Sequence, residues 1–339
     1  MFRSLVLDAL KGNPVDRTPI WLMRQAGRYM AEYRAVREGR TFLDLCHDPD
    51  LAFEVTMQPI RAYDLDAAIV FADILLVPAA MGMDLSFIPG RGPVFADPIA
   101  SPEDVARLTV LAPEQSLTGT LTALERLVDA LDRPVLGFAG APFTVACYAI
   151  EGQGSKDWVK VRRFMAEYPD AFQALLDKLS DATATWLNAQ INAGAHAVQL
   201  FDTWAGLLGP QDFRDYALAS SKRVFSQISG VPRIYFMRDS GAVLPWLPDT
   251  GCDAVGLDWR VSMSTARATL GNMPLQGNLD PMTLFQGEAQ IRAAAHRVLA
   301  QAGPTGHVFN LGHGIHRFTP PEAVSILVDA VRSFDWRTI

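Results

Sequence analysis

Along the chain, short apolar runs alternate with longer stretches in which apolar residues recur every three or four positions. The runs are PIWLM (19–23), AAIVFA (67–72), PVLGFA (134–139), AHAVQLF (195–201), PRIYFM (232–237), DAVGLD (253–258), MPLQG (273–277) and HVFNLG (307–312). Each ends in glycine or polar residues, and their near-continuous apolar character fits strands buried on both faces. Helical periodicity marks 48–62, 156–190, 210–228, 288–302 and 320–335, with Asp48 before Pro49 and Gly209 before Pro210 as helix starts. Eight strand-like runs separated by helices predict a (β/α)8 TIM barrel, an α/β fold occupying residues 1–339 as a single domain. A doubly wound open sheet competes, but no run is followed by the G-x-G-x-x-G turn that such sheets use for dinucleotides. Residues 79–132 are too long for a plain βα connection and predict an excursion on one face.

In a parallel barrel the chemistry gathers at the carboxyl ends of the strands. Those positions read RQAGRY with Arg24 and Arg28, then Asp73, GAPFTVACY, FDTWAG, MRDSG, LDWR, QGNLD, and NLGHG with His313. Arg24 and Arg28 stand four apart and share a face if the segment is helical. That suits a grip on carboxylates, and equally a solvated amphipathic helix whose arginines pair with its own glutamates. Asp73 is the one charged residue in AIVFADILLVP. It reads either as the N-cap of a following helix or as a pocket carboxylate placed to stabilise a developing cation. His313 lies in GHGIH with His316 close by and His307 upstream. A Gly-His-Gly turn is not helical and no acidic or cysteine ligand recurs at metal spacing, so a rim histidine donating to a ligand carboxylate is preferred to a metal site. Tyr148 and Thr203 read by themselves as a helix-face tyrosine and a strand-end or capping hydroxyl. EGQGSKD (151–157) lacks phosphate-loop spacing and is either a loop closing over the barrel mouth or an ordinary exposed loop.

Composition narrows the partners. A net charge of -7 and a pI near 5.4 argue against nucleic acid and anionic membrane surfaces. Residues 21–40 nevertheless carry a local net charge of +3, with five arginines against Glu32 and Glu38, so an anionic small molecule has a basic patch to meet. Cys46, Cys147 and Cys252 are odd in number and in no C-x-x-C spacing, which supports neither a disulfide framework nor a zinc site and fits a reducing cytoplasm. No apolar stretch is long enough to span a membrane, and the opening MFRSLVLDALKGNP, broken by Asp8, does not read as a signal peptide.

Taken together, PIWLMRQAGRYMAEYR, FADIL, GFAGAPFTVACYAIEG, FDTWAG, VGLDW, QGNLDP and FNLGHGI, in this order and spacing, resemble the uroporphyrinogen decarboxylase family over nearly the whole chain. The resemblance implies a cytoplasmic (β/α)8 homodimer that works without metal or organic cofactor. It implies removal of the four acetate carboxyls of uroporphyrinogen III, a polyanionic tetrapyrrole, giving coproporphyrinogen III and carbon dioxide in porphyrin biosynthesis. Carried over residue by residue, it implies substrate binding by Arg24, Gln25, Ala26, Gly27, Arg28, Asp73, Tyr148, Thr203 and His313, with Asp73 the central catalytic carboxylate. Thr203 stands where serine is common, Ala72 where serine is frequent, and Gln153 interrupts what is often a glycine pair. Two rivals remain. A corrinoid-linked methyltransferase of the same barrel superfamily binds zinc through a His-x-Cys pair that is absent here, and a non-catalytic porphyrinogen carrier is separable only by turnover.

Overall fold

Seven of the eight runs pair as parallel strands in the computed structural model, which describes residues 4–336. In chain order the strands are β1 (Ala68–Ile69), the antiparallel hairpin β2 (Leu85–Ile88) and β3 (Gly92–Phe95), then β4 (Val135–Gly140), β5 (Ala197–Asp202), β6 (Arg233–Met237), β7 (Ala254–Leu257), β8 (Leu275–Leu279) and β9 (His307–Leu311). The parallel sheet runs β1-β4-β5-β6-β7-β8-β9, each strand beside the next in sequence, as βαβ connections dictate.

The run PIWLM joins this sheet at its seam through a single parallel bridge, Ile20 to Phe309, and not as a regular strand. The Phe309 N–H donates to Pro19 O (2.8 Å) and the Trp21 N–H to Phe309 O (3.3 Å), while on the other side the Asp66 N–H donates to Ile20 O (2.8 Å). Residues 19–21 therefore connect β9 with the segment entering β1, the two outer strands of the curled sheet. The ladder stays short for a local reason. Pro19 has no N–H to give, and the next amides are taken by side chains, Leu22 by Gln25 Oε1 (3.1 Å) and Met23 by Asn310 Oδ1 (2.8 Å). Asp66 fixes the seam, accepting from the Ile20 N–H (2.8 Å) and from both terminal nitrogens of Arg17 (2.7 and 2.5 Å).

One end of the sheet is filled. Trp21, Ala67, Leu136, Ala197, Ile234, Ala254 and Val308, one from each of seven staves, pack with Val6, Ala9 and Leu10 of the helix Leu5–Leu10. Within the barrel the Trp21 indole N–H donates to Gln276 (3.0 Å), which donates in turn to Gln199 (2.9 Å). With its amino end plugged, the barrel offers the carboxyl end to a ligand.

The helices follow the periodicity with instructive exceptions. Pro49–Tyr63 starts where expected, its Asp48 cap accepting from the Asp50 and Leu51 N–H groups (2.8 and 3.2 Å). Glu288–Ala302 matches its prediction, and the last helix, Pro321–Arg332, ends earlier than 335. The stretch 156–190 is two helices, Val159–Glu167 and Pro169–Asn192, because a proline disfavours helical backbone in the residue before it and Tyr168 is turned out at φ -135°. The stretch 210–228 keeps its helical course through a π-type turn at Phe213–Leu218. Within 79–132 the surprise is the β2–β3 hairpin; the later helix Thr118–Ala130 packs on Pro49–Tyr63 and leads into β4 as an ordinary barrel helix.

Candidate active site

Asp73 follows β1 and lies half-buried before the helix Leu76–Ala80. It does not cap that helix. The cap position is Leu75, and Asp73 Oδ1 instead accepts the Leu75 N–H (2.8 Å) in a local turn, leaving Oδ2 without a hydrogen bond from any described residue. Loss of water around it outweighs the Leu75 amide and the charge of Arg24 and raises its pKa to about 6. Within reach of its charge, Tyr148 projects from the helix Pro142–Glu151 after β4 and packs edge-on to Trp158 and Trp204, with ring centroids 5.3 and 6.2 Å away. Burial, reinforced by the charge of Asp73, raises the Tyr148 pKa and keeps the phenol protonated. Thr203, just past β5, carries no side-chain hydrogen bond among the described residues. Its neighbour Asp202 is fully buried and anchors this wall, accepting from the Thr144 hydroxyl (2.6 Å) and the Tyr235 phenol (2.7 Å).

His313, after β9, sits between two glycines that each touch the rest of the mouth. A Cβ on Gly312 would lie 2.5 Å from the Trp259 nitrogen, and one on Gly314 would collide with the Cδ and Cγ of Arg24. The histidine ring is 6.2 Å from that of Phe236 on β6. Burial, together with the charges of Arg24, Arg238 and Arg260, depresses its pKa to about 3, so the imidazole is neutral at physiological pH. Arg24 itself adopts left-handed backbone, φ +59°, costly for a side chain with a Cβ and seen mainly where surrounding structure imposes it.

A model of the "Uroporphyrinogen decarboxylase (URO-D)" family matches residues 1–334. The chain belongs to the uroporphyrinogen decarboxylase family. Among curated members, the protein named uroporphyrinogen decarboxylase from Trichlorobacter lovleyi is 47% identical over 337 residues, covering 98% of each chain. Its namesake from Bordetella petrii is 49% identical over 344 residues, covering 98% of this chain and 96% of its own. Of solved structures, a methyltransferase from Methanosarcina mazei superposes with a TM-score of 0.83 at 22% identity, covering 97% of this chain and 98% of its own. At that identity it shows the shared barrel and nothing about the reaction.

Of the family residues expected from sequence, Arg24, Asp73, Thr203 and His313 stand just past the carboxyl ends of strands or strand-like segments, and Tyr148 joins them from the helix after β4, packed on Trp204. The RQAGRY segment divides. It is not helical, so Arg24 and Arg28 do not share a helix face; it is an irregular turn before the helix Ala31–Arg37. Gln25, 1% exposed, accepts from the Leu22 N–H and donates to Ala67 O (3.2 Å), and its own carbonyl accepts from the Tyr29 phenol (2.7 Å), so it builds the turn that presents Arg24. Ala26 and Gly27 are half-buried in that turn, while Arg28 lines an open groove of about 840 Å³ with Tyr33, Arg34, Arg37 and Arg317. Loop 151–157 is tied to the β2–β3 hairpin: the Phe95 N–H donates to Gly152 O (2.8 Å) and Arg91 to Gln153 Oε1 (2.6 Å). The residues that sequence reading passed over are Arg238, Asp239, Asp258 and Arg260, at the ends of β6 and β7. Their signal was present, since MRDSG and LDWR close two apolar runs. Among the described residues no three His, Cys, Asp or Glu side chains gather as a metal site would require, and no helix is long and apolar enough to cross a membrane.

Proposed function

We propose that this chain removes the four acetate carboxyls of uroporphyrinogen III, giving coproporphyrinogen III and carbon dioxide, and that Asp73 is the carboxylate at the reacting centre. The observation that carries this reading is a half-buried aspartate in a family member, one oxygen unclaimed, set at a barrel mouth with Arg24, Tyr148 and His313.

A carboxylate departs as carbon dioxide only if the electrons of its C–C bond have a destination. Protonating the pyrrole at the ring carbon next to the acetate-bearing one creates an iminium-like cation, and that ring is the electron sink. The acetate CH2 joins its carboxylate directly to the sink, whereas a propionate is insulated by one more carbon, so acetates react and propionates survive. Asp73 Oδ2 accepts from the pyrrole N–H groups directed at it. Those contacts strengthen as the ring becomes cationic, which lowers the barrier by differential stabilisation. Arg24 grips a carboxylate, and neutral His313 and protonated Tyr148 each supply an uncharged hydrogen-bond donor. The decisive measurement is anaerobic, reducing incubation with uroporphyrinogen III followed by chromatography of the oxidised products. The hepta- through tetracarboxyl series is the expected result; an unchanged octacarboxyl product overturns the reading and leaves a carrier.

We place the protein in the cytoplasm, a reading supported by three buried free cysteines, and we take it to act as a homodimer. Support for the dimer comes from Met282, Phe285 and Phe318, exposed large apolar side chains at the carboxyl side of the barrel, where His316 lies 5.6 Å from the Phe285 ring and 5.4 Å from that of Phe318. Sedimentation at micromolar concentration is expected to report twice the chain mass for the wild type and a monomer for the doubly substituted Phe285→Asp, Phe318→Asp chain. A monomeric wild type removes the dimer.

A further inference from the structure

Arg238 and Arg260 reach the site from the wall opposite Asp73, and the ion pairs around them divide their roles. Asp239 stands between them, its two oxygens 3.2 Å from Arg238 Nε and 2.8 Å from Arg260 Nε. Arg260 also donates through Nη1 to Asp258 (2.6 Å), which is fully buried, so it is held by two carboxylates, one of them shared with Arg238. Arg238 is different. Its terminal nitrogens Nη1 and Nη2 take no hydrogen bond among the described residues, while its guanidinium lies over the Trp204 ring, 5.5 Å from the centroid. The supporting turn is rigid. Asp239 adopts φ +59°, and Gly206 admits it at a distance no side chain would allow, since a Cβ there would be 2.5 Å from Asp239 Cβ and 2.6 Å from Arg238 O. Trp204 in turn packs on Tyr148, and Phe236, two residues before Arg238, on His313.

A guanidinium ion-paired at Nε with Asp239, lying over an aromatic ring and carrying two terminal nitrogens with no hydrogen bond to any described residue, presents the pair of donors that a carboxylate accepts bidentately. We propose that Arg238 is a second substrate-gripping residue, taking one carboxylate of the tetrapyrrole on the opposite side of the mouth from Arg24, with Asp239 and Arg260 as positioning residues. The proposal rests on the function above and deepens it. A macrocycle held at two edges cannot swing about a single anchored carboxylate, so each acetate is presented to Asp73 in a fixed orientation.

Steady-state kinetics of R238Q and R238K test it. R238Q is expected to raise KM for uroporphyrinogen about tenfold or more, with kcat within about threefold of wild type and an unchanged melting temperature. Its KM also loses salt sensitivity relative to wild type, which a merely structural role would not produce. R238K, which keeps the charge and loses the planar pair of donors, falls between the two in KM. An R238Q enzyme with wild-type KM and salt dependence overturns the proposal, as does a loss of activity matched by a lowered melting temperature in both variants. Failure of the function itself is distinguishable, because then the wild type gives no turnover in the same assay.

Discussion

Asp73→Asn is expected to lower kcat by about 100- to 1,000-fold and, at the same time, to raise the melting temperature at pH 8. The asparagine carbonyl still accepts the Leu75 N–H, so the local turn persists. What disappears is the negative charge that stabilises the ring cation. The stability gain follows from the sign of the pKa shift. The folded chain raises the Asp73 pKa to about 6, above its unfolded value, so the folded state binds this proton more tightly. Below about pH 4 both states are protonated and the residue costs nothing; the penalty grows through pH 4 to 6 and is complete above that. Removing the charge returns on the order of 2 kcal/mol at pH 8, allowing for partial solvent exposure, and almost nothing at pH 4. The depressed pKa of His313 works in the opposite direction, destabilising the fold as pH falls below the range of free histidine, but it is common to both proteins and cancels in their difference. Thermal melts across pH 4 to 8 and single-turnover rates check the pair of effects. The same ionisation predicts that wild-type kcat/KM rises through a pKa near 6 to a plateau, and that His313→Asn retains this limb. A rate that falls as pH rises through 6 would make Asp73 an acid rather than an anionic stabiliser, and an Asp73→Asn enzyme with full turnover would remove it from the chemistry.

How much of this was legible before the structure depends on the range of the interaction concerned. The strands were legible because burial on both faces leaves a run of apolar residues whatever the neighbours are, and Asp73 and His313 were legible because each closes such a run. The seam was not. PIWLM has strand composition, yet Pro19 withholds a donor while Gln25 and Asn310, far apart in sequence, take the next two amides, so the ladder stops at one bridge. RQAGRY misled for a similar reason. Its spacing is compatible with a helix, but Gln25 is committed to Leu22 and to Ala67, forty-two residues away, and that commitment bends the backbone and separates Arg24 from Arg28. Arg238 and Arg260 went unassigned because nothing in MRDSG or LDWR says which nitrogens of each arginine are already engaged. Only the three-dimensional contacts show that Arg260 meets two carboxylates, while Arg238 shares Asp239 at Nε and keeps both terminal nitrogens open.

The glycines flanking His313 give a second large effect, with a contrast built in. Gly312→Ala is expected to reduce kcat/KM about 100-fold and to destabilise the fold by roughly 2 kcal/mol. Gly314→Ala is expected to raise KM about tenfold with little change in stability. The difference lies in what each added methyl meets. At 312 it meets the Trp259 nitrogen at 2.5 Å and the Asp258 carbonyl carbon at 3.0 Å, backbone that cannot retreat without moving the end of β7. That end carries Asp258 and Arg260, so the strain reaches His313 and Arg260 together. At 314 the methyl meets the Arg24 side chain, which can rotate away into solvent, since Arg24 is exposed. The fold tolerates the change, but the grip on substrate does not. Urea unfolding beside steady-state kinetics separates the cases. If Gly312→Ala unfolds like wild type, or if Gly314→Ala binds substrate normally, the Gly-His-Gly turn is not what aligns His313 with Arg24 across the mouth.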